Sequence, residues 1–527
     1  MNFPILSLIT FLPLAGAILL IFIQRGRENI LRFLSLGTAL ITFIFSLILY
    51  FSFNAQIPDP QFVEKVEWLG YGINYHIGID GISLFLVLLT TFLMPIAILS
   101  SWTHIQKRVK EYLIFILMLE TGIIGIFVSL NLFLFYVFWE AMLIPMYFLI
   151  GVWGGRRRIY ATLKFVLFTM LGSLLMLVAI FFLYSMYYKA TGVYSFNLFD
   201  YYKLVLNPNI QIWLFLAFAL SFAIKIPLFP FHTWLPDAHV EAPTAVSVIL
   251  AAVLLKMGAY GFLRFALPLF PDAVMKFLPL LAVLSLIGII YGGLMALIQK
   301  DAKSLVAYSS VSHMGLIMLA IFALNFEAME GAIYQMISHG LSTGALFLII
   351  GILYERSHTR MIKDFGGVSK QMPVFSAFFL ICMLSSVGLP GLNGFIGEIL
   401  CFFGIFKANK LLAILGISTV ILAAGYLLWM FQRIMQGPIK NEKIFSFKDI
   451  NKREICYLVP IVIMMFWMGI YPKPFLRKMD SSVTHLLNRV NKREIYFTEV
   501  QKDKNFPVKI EHEMTKEKNE EKEDKSR

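Results

Sequence analysis

Fourteen stretches of this chain are long and apolar enough to cross a membrane, and that count leaves few folds open. At about 1.5 Å of rise per residue, a spanning helix needs roughly 20 residues. The stretches cover approximately 3–23, 30–50, 81–101, 112–129, 131–150, 160–184, 211–239, 243–265, 276–298, 304–324, 330–353, 375–407, 411–432 and 455–472. With 59% hydrophobic residues, 50 Phe, 25 Met and 15% charged residues in 527, the composition is that of a membrane-embedded chain. The expected fold class is all-α integral membrane.

Several functions are excluded at once. Cys382, Cys401 and Cys456 stand 19 and 55 positions apart, which fits no disulfide framework, zinc site or iron–sulfur spacing. No G-x-G-x-x-G opens a βαβ unit and no P-loop is present, so neither a cofactor-binding nor a metal-binding residue is expected. The net charge of +13 sits in short loops between apolar runs, where it sets topology rather than binding nucleic acid. The N-terminus reads Met1-Asn2-Phe3-Pro4 and then apolar residues to Ile23, without a basic segment or cleavage pattern, and is read as a retained first helix.

Counting Lys and Arg in alternate loops gives 21 on one side (including Arg25, Lys107, Arg156, Lys303, Arg360 and Arg453) and seven on the other (including Lys65, Lys189 and Arg264). Both termini are therefore expected outside. The segment from Asn491 to Arg527 carries ten basic and ten acidic residues, and its end, from Lys516, has no apolar side chain; it is expected to be disordered.

Two spans carry breaks. Lys225-Ile226-Pro227-Leu228-Phe229-Pro230 interrupts 211–239, and Gly388-Leu389-Pro390-Gly391-Leu392-Asn393-Gly394 interrupts 375–407. Proline removes a helix hydrogen bond and glycine loosens the backbone, so both predict broken helices, tolerated at membrane depth only beside protein or water. Pro227 lies 115 residues after Tyr112 and Pro390 lies 114 after Lys276, which puts each break in the fourth helix of a five-helix set. An odd number of spans per set predicts two inverted repeats with a site near the midplane. The expected segments are 1–111 (three helices), 112–265 (first set), 276–432 (second, inverted set), 433–480 (last span and flanks) and 481–527 (charged tail).

Six ionisable residues fall inside the apolar runs: Glu120, Glu140, Lys164, Lys225, Lys256 and Glu398. Facing lipid, they would together cost on the order of 15–20 kcal/mol, so they must face one another or water. Counting helix rise from the span ends places Glu140, Lys225, Lys256, His313, His339 and Glu398 roughly 14–21 Å deep. Groups of both signs with histidines at one level describe a proton relay. Burial disfavours the ammonium form of a lysine and a nearby carboxylate favours it, so moving the carboxylate's influence loads or unloads the proton. Glu140 with Lys225 is read as such a switch, Lys256, His313 and His339 as the relay, and Glu398 as the terminal acceptor. Blander readings stand beside these: a neutral histidine bonding a neighbouring helix, Lys164 snorkelling to the inner surface, and Glu120 merely partnering a basic group. His232, Asp237, His239 and Glu241, near the inner end of the broken seventh span, are read as the lining of a proton inlet rather than a metal site.

Phe138-Trp139-Glu140 with Pro145, the run from Lys225 through His232, Asp237, His239 and Glu241 to Pro243, Ser309 to Gly315 with His313, and Gly391 to Glu398 resemble the antiporter-like membrane subunits of respiratory complex I, the NADH-quinone oxidoreductase. The resemblance extends over about residues 75–435. The glutamate at Glu398 stands where the sister subunits L and N and related sodium/proton antiporter subunits usually carry lysine. The resemblance implies proton translocation driven by electron transfer from NADH to quinone elsewhere in the complex, through a multi-pass protein of the inner (plasma) membrane. It implies NADH, FMN, iron–sulfur clusters and quinone in partner subunits, and the subunits L and N as neighbours. A subunit of a sodium/proton antiporter complex or of a membrane-bound hydrogenase is the alternative.

Overall fold

The protein is described by a computed structural model covering residues 3–439, 441–500 and 508–510. Thirteen helices among the described residues are long and apolar enough to span a bilayer, from Ile5–Phe22 to Lys452–Ile470. The pair Pro373–Val387 and Asn393–Ala408, separated by a short break, supplies a fourteenth crossing. Observed ends lie within a few residues of those expected, and Gly81–Ser101 coincides with 81–101. Two spans depart further: the sixth runs to Thr191 before Gly192 ends it at φ 70°, a conformation glycine adopts without penalty, and the continuous helix of the seventh stops at Lys225, with a short helix Trp234–Glu241 after the break.

The loops gather on two faces. On the basic face, Trp153 Nε1 donates to the Lys107 carbonyl (2.8 Å), Arg157 N–H to Glu241 Oε2 (2.9 Å) and Arg453 to Thr103 Oγ1 (2.9 Å). Opposite lies an element that composition did not announce, an antiparallel hairpin of Gln61–Gly70 and Ile73–Ile79. Its second strand leads into Asp80, which caps the third span by accepting from the Ile82 and Ser83 N–H groups. The same carboxylate pairs with Arg264 at 2.6 Å, and both side chains are below 10% exposed. Arg264, counted above with the outer charges as a residue at the end of the eighth span, lies within Thr244–Leu269 with its side chain turned to Asp80.

Removing one partner of a buried ion pair leaves an uncompensated charge and costs about 3–5 kcal/mol. Asp80→Ala is therefore expected to lower the unfolding midpoint of the purified protein in detergent, and Asp80→Ala with Arg264→Leu to recover most of the loss. An unchanged midpoint for the single variant would show that the pair contributes nothing.

The tail requires a correction. Residues 481–500, expected to be disordered, continue the helix Lys473–Val500. Phe475, Met479, Val483, Leu486, Leu487 and Val490 are buried along one side of it, at the spacing of an amphipathic helix. Ser482 Oγ accepts from the Gly81 N–H (2.9 Å) and Lys478 donates to the Tyr50 carbonyl (2.8 Å), so the helix lies across the outer ends of the second and third spans. The expectation of disorder from Lys516 onward lies outside the described residues.

Candidate functional site: a buried line of ionisable groups

Four of the candidate residues form a continuous line. Lys256 Nζ meets His339 Nδ1 at 2.7 Å. The His339 and His313 rings lie 5.6 Å apart, and His313 Nε2 is 3.7 Å from Glu398 Oε1. All four are nearly inaccessible, at 0, 2, 3 and 5% exposure from Lys256 to Glu398. Each His313 nitrogen faces a carbonyl, Ser309 at 2.9 Å and Ser386 at 3.2 Å. A neutral imidazole has one N–H and satisfies one of them, whereas an imidazolium satisfies both, so an arriving proton gains a hydrogen bond.

Irregular backbone builds this line. The eighth span contains a π-helical turn at Leu250–Leu254, where the Leu255 N–H reaches back to the Leu250 carbonyl instead of Ala251. The Ala251 carbonyl then accepts from Lys256 Nζ at 2.6 Å. Such turns mark functional positions in helices, and nothing in the local sequence announces this one. In the twelfth span Gly388 ends the first half at φ 82°, and a Cβ there would collide with Glu398 Oε2. Glycine is required twice over, for its backbone and for the room it leaves the carboxylate. Across the break, Ser385 donates to Asn393 Oδ1 (2.6 Å) and Asn393 Nδ2 to the Ser338 carbonyl (3.2 Å), so side-chain bonds tie the two halves to each other and to the eleventh span.

The first half is arranged differently. Lys225 ends the helix Pro208–Lys225, 1% exposed, with its ammonium 5.5 Å from the Trp139 ring, 5.3 Å from that of Phe165 and 3.9 Å from Met142 Sδ. The carboxylate whose charge reaches it is that of Glu140, although no ion pair closes between them among the described residues. Glu140 stands one residue before a kink between Leu132–Ala141 and Leu143–Trp153. Pro145 causes it, because its missing N–H leaves the Ala141 carbonyl without a helical partner. Glu140 Oε1 has no hydrogen-bond partner, and the residue lines an apolar cavity of about 770 Å³ with Phe133, Tyr136 and Val166. Glu120 is fully buried with both oxygens unpartnered, so the basic partner weighed for it is not found. Lys164 bonds Asp237 at 2.7 Å and stands apart from the Lys256–Glu398 line.

The remaining inlet candidates separate. Glu241 ties down the loop before the sixth span, and His232 packs against Phe229 and Tyr291. His239 stacks on Phe347 at 4.6 Å with both ring nitrogens unpartnered. Beside them a cavity of about 180 Å³ is lined by His104, Glu241, Lys303 and Arg360. Burial, with the nearby charge of Lys303, holds His104 below the usual histidine range. Lys303 was read only as a loop charge; it is buried, with Nζ at the Ala242 carbonyl. Gln335 was also missed, and its Nε2 reaches Glu398 Oε1 at 3.5 Å.

Residues 129–423 match the family described as NADH:quinone oxidoreductase/Mrp antiporter, TM, and residues 8–126 that described as NADH-ubiquinone oxidoreductase chain 4, amino terminus. The chain is 46% identical to NADH-quinone oxidoreductase subunit M of Rhodobacter capsulatus over 92% of this chain and 96% of that one. It is also 46% identical to NADH-ubiquinone oxidoreductase chain 4 of Arabidopsis thaliana, over 92% and 97%. Among solved structures, a chain of respiratory complex I from Thermus thermophilus with bound NADH superposes with a TM-score of 0.84 at 33% identity, covering 92% of this chain and 99% of that chain. The matched segments span the hairpin, both broken helices and the buried line, and the chain belongs to the NADH:quinone oxidoreductase/Mrp antiporter family of membrane subunits.

Proposed function

We propose that this chain translocates protons as the M-type membrane subunit of an NADH:quinone oxidoreductase, driven by quinone reduction in partner subunits. The observation that carries the reading is the line Lys256–His339–His313–Glu398, with 2.7 Å from Lys256 Nζ to His339 Nδ1, 5.6 Å between the two ring centroids and 3.7 Å from His313 Nε2 to Glu398 Oε1, inside a fold of this family. The protein is a multi-pass component of the inner (plasma) membrane. NADH, FMN, iron–sulfur clusters and quinone are held by other subunits, and the sister subunits L and N are its neighbours in the membrane arm.

In this reading Glu140 and Lys225 form the switch, with Glu120 as a helper carboxylate and Lys164 on the inner side of Lys225. Residues 112–265 and 276–432 are the two inverted five-helix sets, each bringing one broken helix to the middle of the membrane. When the influence of Glu140 on Lys225 weakens, the lysine gives up its proton, which enters the line at Lys256. His339 Nδ1 accepts from the Lys256 ammonium, His313 takes the proton on while bonding two carbonyls, and Glu398 receives it.

The test separates ionisation from shape at the end of the line. Glu398→Gln keeps the side chain's size but cannot ionise, and is expected to block pumping in the assembled complex reconstituted into vesicles; Glu398→Asp is expected to retain much of it. Parental pumping by the glutamine variant would reduce Glu398 to a structural role. A sodium/proton antiporter subunit is the second reading, because the matching family description includes the Mrp antiporter. The carboxylate at Glu398 in place of lysine weighs against it, and transport that depends on sodium would reverse that judgement.

A further inference from the structure

Arg264 is a buried cation that the relay leaves unused, 8% exposed in the outer part of the eighth span. That span carries Lys256, Tyr260 and Arg264 at four-residue spacing, so each stands one turn, about 6 Å, nearer the outer surface than the one before. Lys256 therefore lies at a fork. Sideways it meets His339 at 2.7 Å, and outward the next polar side chain on its own helix is Tyr260. A proton leaving by the outward branch would reach the outer solution without passing His313 or Glu398, and outside protons would return the same way.

The hydrogen bonds of this branch show where it stops. Tyr260 Oη donates its only proton to the Phe127 carbonyl (3.0 Å) and accepts from Arg264 Nε (3.2 Å). On the other side the guanidinium meets Asp80 Oδ1 at 2.6 Å, an oxygen that also accepts from the Ile82 and Ser83 N–H groups. A π-helical turn at Phe262–Ala266 carries Arg264, and the Tyr202 hydroxyl fixes that turn by donating to the Arg264 carbonyl (2.7 Å). Beyond the pair, Asp80, Arg264, Tyr202 and Ser482, with His485 and Arg489 of the lateral helix, line a cavity of about 30 Å³, room for bound water. Polar groups thus stand on both sides of the guanidinium. It has only N–H donors, no acceptor, and keeps its charge at any accessible pH. Tyr260 has nothing outward to donate to, and a proton arriving at Asp80 has nothing inward.

We propose that Arg264 is the outer stop of the eighth span, a positioning residue that confines the proton of Lys256 to the lateral line by setting a donor-only cation between Tyr260 and the outer water. A fixed arginine bars protons from water-conducting pores on the same principle. Asp80 holds the guanidinium in place, and the lateral helix closes over it. The proposal rests on the reading of the chain as a proton translocator.

The experiment uses the whole complex reconstituted into vesicles, with three readouts: decay of an imposed pH difference without NADH, protons moved per electron, and assembly. Asp80→Asn with Arg264→Gln replaces the ion pair by two amides that still bond each other, and it gives Tyr260 a carbonyl to donate to. This variant is expected to hasten the decay at least about tenfold and to lower the protons moved per electron while quinone reduction continues. Adding Tyr260→Phe removes the hydroxyl that feeds the branch and is expected to restore the slow decay. A pair that only stabilises the fold predicts parental decay in the assembled double variant, and that result overturns the proposal. So does a leak that Tyr260→Phe leaves in place, because the protons then take another route. Arg264→Gln alone, with Asp80 keeping its bonds from Ile82 and Ser83, decides the matter if the double variant does not assemble. If the neutral variant is tight while Glu398→Gln still blocks pumping, the stop is wrong and translocation stands. If Glu398→Gln and Lys225→Ala both pump normally, the translocation reading itself fails.

Discussion

Lys225→Ala is expected to lower coupled proton pumping at least about tenfold, equivalent to about 1.4 kcal/mol in the controlling step, while the complex still assembles. The expectation comes from where the ammonium sits. Its surroundings are two aromatic faces and a methionine sulfur, none of which accepts a proton, and the one carboxylate acting on it makes no direct ion pair. A structural salt bridge would hold that carboxylate at bonding distance. A lysine held short of its counter-charge is instead sensitive to small movements of Glu140, and the proline-induced kink beside Glu140 supplies a backbone that can move. Glu140→Ala should therefore impair pumping as Lys225→Ala does. The measurement is proton uptake into vesicles per NADH oxidised, with native gel analysis of assembly. Normal pumping by either assembled variant would remove the switch from the mechanism.

The membrane spans were legible because each is an apolar run bounded by charge, and both breaks because Pro227, Pro230, Gly388 and Gly394 punctuate otherwise continuous runs. The depths of Lys256, His313, His339 and Glu398 followed from helix rise alone, since a straight helix converts residue number into height. What rise cannot give is rotation about the helix axis. Lys164 was assigned a depth near the inner surface, but its pairing with Asp237 depends on how the sixth span turns toward the broken seventh. Likewise Lys303, counted as a loop charge, and Arg264, counted at a span end, turn into the protein to meet a carbonyl and Asp80. The π turn at Leu250–Leu254 has no local signal, because its residues are ordinary helix formers and the extra residue is accommodated by tertiary packing. The lateral helix did have one. Phe475, Met479, Val483 and Leu486 recur at three- and four-residue spacing, but the high charge of the same segment outweighed that period in a reading based on composition.

The second large effect is expected at Lys256, where charge and proton transfer can be separated. Lys256 Nζ makes two contacts, to the Ala251 carbonyl at 2.6 Å and to His339 Nδ1 at 2.7 Å. The first is satisfied by any N–H donor. The second has a relay function only if the proton can leave Lys256, because a nitrogen facing a nitrogen passes its proton on by exchanging donor and acceptor. Arginine keeps its charge at any accessible pH and offers five donors, so Lys256→Arg retains the cation and the hydrogen bond to Ala251 but cannot deliver a proton to His339. The variant is expected to assemble and to pump at least about tenfold less per electron, the same order as Lys225→Ala. Lys256→Met, which removes the charge altogether, should do no better, since the line then starts at an imidazole with no donor in front of it. The two variants together decide the role of the residue. A fixed structural cation predicts that arginine works and methionine fails, whereas a proton carrier predicts that both fail. Parental pumping by the reconstituted Lys256→Arg complex would make Lys256 a fixed charge and would require His339 to be loaded from another group, for which the buried, unpartnered imidazole of His239 is a candidate.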